Sequence, residues 1–168
     1  MRTLSILKSL VDFIWIVTCI PFLIFGFAFI IYMFFDSSIL DSLYSNVYVS
    51  QISVWQKQFL AFFTFVYVCA SVYVFYLFRK TLRFFLQAKP FDSVVIDTYK
   101  IMGKLLIVLG LSAIVLMFFG RLLLENRFVI HLGITPYLML LCLGLFFLVL
   151  SECFKIAKHA KEENDLTI

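Results

Sequence analysis

Four apolar runs, at about residues 10–35, 59–78, 101–124 and 135–153, constrain this 168-residue chain more than any other feature of it. A helix that crosses a hydrocarbon core of about 30 Å needs roughly 20 mostly apolar residues, and each run approaches or exceeds that length. The sequence therefore predicts an all-α integral membrane protein, a four-helix bundle forming one domain over 1–168. Composition agrees, since 64% hydrophobic and only 14% charged residues lie outside the soluble globular range. The first run follows Arg2 and Lys8 as a secretory leader would, but it is too long for one and no small-residue cleavage motif succeeds it.

Charge between the runs gives the orientation. Of the 14 Lys and Arg residues, Arg2 and Lys8 precede the first run, six lie between Arg79 and Lys104, and Lys155, Lys158 and Lys161 follow the fourth. Lys57, Arg121 and Arg127 are the three on the other side. The positive-inside rule then places both termini in the cytoplasm, with an external loop at 36–58, a cytoplasmic hairpin at 79–100 and a cytoplasmic tail at 154–168. In the external loop, the stretch VYVSQISVW fits either a short strand pair or an interfacial helix, with Tyr48 and Trp55 near the headgroups. That loop reads as a connector resting on the bilayer, with ligand sensing as its alternative.

The longest polar interruption, RKTLRFFLQAKPFDSVVIDTYKIMGK, carries most of the interpretable detail. Arg79, Lys80 and Arg83 continue the helical spacing of the second run, so that helix is expected to extend beyond the membrane and stop before Pro90. Asp92 is placed to cap the next helix, with Phe91 and Ile96 at the positions of a hydrophobic staple. From Ser93 the chain meets no proline until after Leu124, and about 32 residues at 1.5 Å each span roughly 48 Å, well beyond the hydrocarbon thickness. Second and third helices are thus expected to project into the cytoplasm as a hairpin with an exposed Phe91 at its tip.

Within the runs, Pro21 predicts a bend in the first helix. Gly103, Gly110 and Gly120 offer close approach to neighbouring helices. Arg121 reads as a snorkelling residue reaching toward Glu125. Glu152, taken to lie at the depth of Lys104, is expected to pair with Lys104 or Arg79, because a buried acid needs a partner. Cys19, Cys69, Cys142 and Cys153 have no metal-ligand spacing and read as reduced structural thiols. His131 has no ligand partner in sequence and is assigned no site.

Catalysis requires a nucleophile with its base, paired carboxylates or a metal cluster, and the chain displays none of these patterns. No HExxH, CxxC, Walker or glycine-rich phosphate motif occurs. The expectation is a non-enzyme with no catalytic residues, cofactor or metal. No segment resembles a nucleic-acid-binding module, so the lipid bilayer is the first partner of the positive charge.

Two stretches, AKPFDSVVIDTYKIMG and LSECFKIAKHAKEENDLTI, resemble the pattern of the bacterial domain-of-unknown-function family 2975, small four-helix membrane proteins with a Pro-Phe turn after the second span. Here Ala88 and Lys89 precede Pro90, where that family often has glycine. The resemblance implies the bacterial cytoplasmic (inner) membrane and a neighbouring gene for a very small helix-turn-helix regulator. By analogy with other such pairs, it implies an interaction protein that binds and sequesters or inhibits that regulator at the cytoplasmic face. The residues available for such a surface are Arg79, Lys80, Arg83, Lys89, Phe91 and Asp92 on the hairpin and Glu162, Glu163 and Asp165 on the tail. The competing expectation is a small transporter or lipid-handling protein with a cavity lined by Glu152, Arg121 and tyrosines.

Overall fold

The computed structural model describes residues 2–35, 53–87, 90–125 and 135–165, apart from the side chains of 33, 34, 57, 60, 120–125 and 165. Every regular element among them is helical. Helix α1 (Arg2–Ile14) passes through a π-helical segment, Trp15–Cys19, into α2 (Ile20–Phe35), and α3 (Val54–Leu86), α4 (Ser93–Glu125) and α5 (Pro136–Asp165) follow. The joined α1–α2, α3, α4 and α5 are each long and apolar enough to cross a membrane. Exposed Phe, Leu, Ile and Val side chains cover much of their outer surface, as in a multi-pass membrane protein whose solvent is lipid.

The sequence explains each boundary. Pro21 has no N–H to return to the preceding turn, and the helix changes its winding just before it: Ile20 N–H reaches back to Trp15 O, one residue further than in an α-helix. A π segment thus stands immediately before the proline at which the bend is expected. Helix α3 starts at Val54, five residues before the second apolar run, because Ser53 and Gln56 form a capping box in which Ser53 N–H donates to Gln56 Oε1 at 3.1 Å. Trp55 therefore belongs to the first turn of a helix; the rest of the loop expected to be external, up to residue 52, lies outside the described residues. Pro136 occupies the first position of α5, where a missing N–H costs nothing, and Thr135 O accepts from Leu138 N at 3.0 Å.

Packing is uneven. The most extensive interface joins α4 and α5, the next joins α3 and α4, and α1–α2 rests mainly on α3. Small residues set the first of these. A Cβ on Gly103 would lie 2.8 Å from Gly144 O, and one on Gly110 would lie 3.1 Å from Tyr137 O, so the two backbones nearly touch at both levels. The buried Ser151 adds a third point, its Oγ donating to Ile96 O at 2.9 Å. These contacts pair 103 with 144, 110 with 137 and 96 with 151 in one antiparallel register.

Helix α4 is the centre of the core. Val95, Tyr99, Met102, Leu106, Leu109 and Ala113 recur every three or four residues along it and are buried, with Val74 and Leu77 of α3 packed against them. The opposite stripe, with Val108, Leu111 and Val115, is exposed and apolar. By contrast, the most apolar window of the first span contains no buried residue, and Val11 is the one buried side chain among its described residues.

Candidate functional site

The end of the molecule that holds the α3–α4 turn is built differently from the rest. Helix α3 stops at Leu86, with Gln87 N–H shared between Arg83 O and Phe84 O, and Pro90 follows in the turn. Asp92 then caps α4, its Oδ1 accepting from Val94 N–H at 2.9 Å while its carbonyl accepts from Val95 and Ile96. The buried residues toward this end include Thr81 and Leu82 on α3, Val95, Ile96, Thr98 and Tyr99 on α4, and Ser151 on α5. Thr81 and Thr98 are buried without orphaned hydroxyls, since each donates to a backbone carbonyl of its own helix, Phe78 O and Val94 O.

An aromatic cluster ties the three chain segments together at this end. Tyr99 lies 5.6 Å from Phe154 and 5.5 Å from Phe147, Phe85 lies 5.9 Å from Phe154, and Phe91 meets Phe154 edge-on at 5.9 Å, all between ring centroids. These separations suit edge-to-face and offset contacts. Phe91, expected to stand exposed at the hairpin tip, is instead half-buried against α5. A ring that large beside an apolar cluster gains more from packing than from protruding into solvent.

The cations divide into engaged and free. Arg79 Nε donates to Asp12 Oδ1, an ion pair between α3 and α1. Its guanidinium also lies 5.8 Å from the centroid of the Trp15 ring, which stacks on Phe75. Lys80 and Arg83 are exposed, as are Asp97 and Lys100 on the outer face of α4. On the tail, Glu162 lies 3.8 Å from Lys158 and 3.6 Å from His159. Glu162 and Glu163 are exposed, and Glu163 takes part in a further interaction. Asp165 ends α5; its side chain, the side chain of Arg121 and all of Lys89 fall outside the described residues.

The expected pairing of Glu152 with Lys104 or Arg79 is not found: both Glu152 and Lys104 are exposed, and among the described residues no ion pair joins them. The α4–α5 register supplies the reason. With 96 opposite 151 and 103 opposite 144, Glu152 stands level with Val95, nine residues or about 13 Å from the level of Lys104. Ser151 and Phe154 take the positions facing α4, which turns Glu152 outward.

Sequence reasoning missed the Asp12–Arg79 pair, although its signal is present. Asp12 is the one acidic residue inside the first apolar run, and Arg79 is the first cation beyond the second. Gly144 and Ser151, which set the α4–α5 contact, were also not singled out. All four cysteines are free thiols, and no group of three metal-ligating side chains occurs among the described residues. A groove between α3 and α5 is lined by Ser71, Phe78, Met102, Leu106, Leu143 and Phe147 with similar neighbours; Glu152 and the tyrosines are not among its lining residues.

No curated protein and no solved structure matches this chain. Residues 19–168 match the family described as a protein of unknown function (DUF2975), which covers nearly the whole chain and includes both the Pro-Phe turn and the tail, and the chain belongs to that family.

Proposed function

We propose that the protein is an interaction module of the bacterial cytoplasmic membrane, with both termini and the α3–α4 hairpin in the cytoplasm, where it holds a small helix-turn-helix regulator. One observation supports this reading above the others: the exposure pattern inverts along the helices. Around 105–119 of α4 the exposed positions, among them Val108, Leu111, Val115 and Phe118, are all apolar, as lipid requires. Around 93–100 the exposed charged positions are Asp97 and Lys100, while Val95, Ile96 and Tyr99 are buried, the pattern of a surface built for water. Helices of 33 residues, about 50 Å, leave room for both environments.

The docking surface is the exposed part of the expected set. Lys80 and Arg83 are free of ion pairs among the described residues and point away from the core, and Glu162 and Glu163 lie on the tail. Arg79, Phe91 and Asp92 serve the fold, as an ion pair, a packed ring and a helix cap, and support the surface from beneath. The test is a pull-down of the regulator encoded beside this gene from membranes carrying the full-length chain. Charge reversal at Lys80 and Arg83, combined with removal of the residues after 161, is expected to abolish capture. Undiminished capture by that variant removes this surface from the proposal.

A further inference from the structure

Helix α1 is fastened at one end and amphipathic along its length. Its fastening to α3 is the pair that Arg79 Nε makes with Asp12 Oδ1, reinforced by Trp15, which lies 5.8 Å from the Arg79 guanidinium and 5.6 Å from the Tyr76 ring. Asp12 and Trp15, three residues apart, share one face of the helix. The π segment begins at Trp15, so the change of winding sits directly beyond the fastening. Among the described residues of the first span Val11 alone is buried, and both members of the ion pair remain about a quarter exposed. A span that buries so little is weakly held in a bilayer, where packing and polar contacts replace the hydrophobic drive.

The pairs 12–79 and 15–76 run antiparallel, which sets Ile6, Leu7 and Leu10 level with residues 81–85 of α3. That is the layer in which α3 exposes Lys80 and Arg83, and Phe85 there lies against Tyr99, between the exposed Asp97 and Lys100 of α4. In this water-built layer Ile6 is 66% exposed, Leu10 53% and Leu7 42%. With Phe13 and Ile14 they form one apolar stripe, while Arg2, Ser5, Lys8, Ser9 and Asp12 lie on the other side of the helix. A basic amphipathic helix of this kind suits the surface of a bilayer, with its apolar stripe sunk among the headgroups.

We propose that α1 is a latched arm: docked on α3 through Asp12, it swings about the π segment on release and lies in the cytoplasmic bilayer surface. Docked, Asp12 neutralises Arg79; released, it leaves Arg79 one turn from Arg83 as a third cation beside Lys80 and Arg83. The swing rests on the reading of the hairpin layer as water, and the masking of Arg79 rests also on the docking surface proposed above.

Spin labels on the full-length chain in phosphatidylglycerol nanodiscs test the swing, with the native cysteines replaced. Asp12→Asn is expected to shift the docked-to-released ratio about 5- to 30-fold. The distance between labels at Ser9→Cys and Lys100→Cys should then lengthen, while that between Lys100→Cys and Lys155→Cys stays fixed. A label at Ile6→Cys should pass from collision with a water-soluble nickel complex to collision with oxygen dissolved in lipid. Exchanging the charges, Asp12→Arg with Arg79→Asp, should restore the docked distance. Unchanged Ser9–Lys100 distances in Asp12→Asn overturn the arm, as does equal broadening of both pairs. A label at position 6 that already meets oxygen in the otherwise unaltered chain also overturns it. For the masking, Asp12→Asn should raise capture of the neighbouring regulator several-fold, and Asp12→Asn with Arg79→Gln should not. Equal capture by Asp12→Asn and the unaltered chain removes the masking. Capture by no form removes the docking surface, and the distances alone then decide the arm.

Discussion

Substituting Gly144 by alanine adds a single methyl group where α4 and α5 have no room for it. The new Cβ would sit 2.8 Å from Ile107 Cγ1, 2.9 Å from Gly103 O and 3.0 Å from Ile107 N, against an ordinary contact of about 3.5–4.0 Å between carbons. Two of those three atoms are backbone, so no rotamer change relieves the clash and the helices must separate by several tenths of an ångström. Separation loosens the Gly103 and Gly110 contacts on the same interface. Overpacking of this kind costs about 1–3 kcal/mol, roughly a 5- to 150-fold loss in the folded-to-unfolded ratio. Gly26→Ala is the control, because its Cβ meets at 2.8 Å only Phe65 Cε2, the edge of a ring that can swing away. Reversible unfolding in mixed micelles with increasing denaturing detergent measures both. The expected order of stability is unaltered chain, Gly26→Ala, then Gly144→Ala well below. Equal stability of Gly144→Ala and the unaltered chain would refute the close-packed α4–α5 register.

Other perturbations address the rest of the structure. In a double-mutant cycle of Asp12→Asn and Arg79→Gln, the coupling energy should be about 1–2 kcal/mol, since the pair is charge-assisted but about a quarter exposed on each side; zero coupling would mean that the pair does not hold α1 to α3. Asp92→Ala removes the cap of α4 and should cost about 1 kcal/mol in the same unfolding assay, with Asp92→Asn close to neutral. Phe154→Ala empties the middle of the Phe85–Tyr99–Phe91 cluster and should cost about 3–5 kcal/mol, with faster hydrogen exchange at residues 82–99; a loss below 1 kcal/mol would show that the cluster does not carry this end of the molecule.

Much of the fold was legible because lipid imposes a length and a composition on every span, and four such runs are visible without any alignment. The start of α4 was legible for a local reason, since Pro90 and Asp92 act through backbone geometry and one hydrogen bond. What was not legible depends on the register between helices. Glu152 and Lys104 each look like an unpaired charge near the same boundary, and only the Gly103–Gly144 and Ile96–Ser151 contacts reveal that they stand about 13 Å apart in level. Phe91 shows the same limit: its place in a turn suggests exposure, while the ring that covers it, Phe154, comes from a segment 63 residues later. The groove is a property of three helices at once, and no single stretch of sequence displays it.

The most direct measurement is the accessibility of the α3–α4 hairpin to water from each side of the membrane. With Cys19, Cys69, Cys142 and Cys153 replaced by serine or alanine, single cysteines are introduced at Asp97, at Val108 and at Lys161, and membrane-impermeant maleimide is applied to right-side-out and inside-out vesicles. A water-exposed cytoplasmic hairpin requires Asp97→Cys to label at nearly the rate of Lys161→Cys, in inside-out vesicles alone, with Val108→Cys protected in both. Protection of Asp97→Cys in inside-out vesicles, or its labelling from the outer face, would contradict the cytoplasmic docking surface.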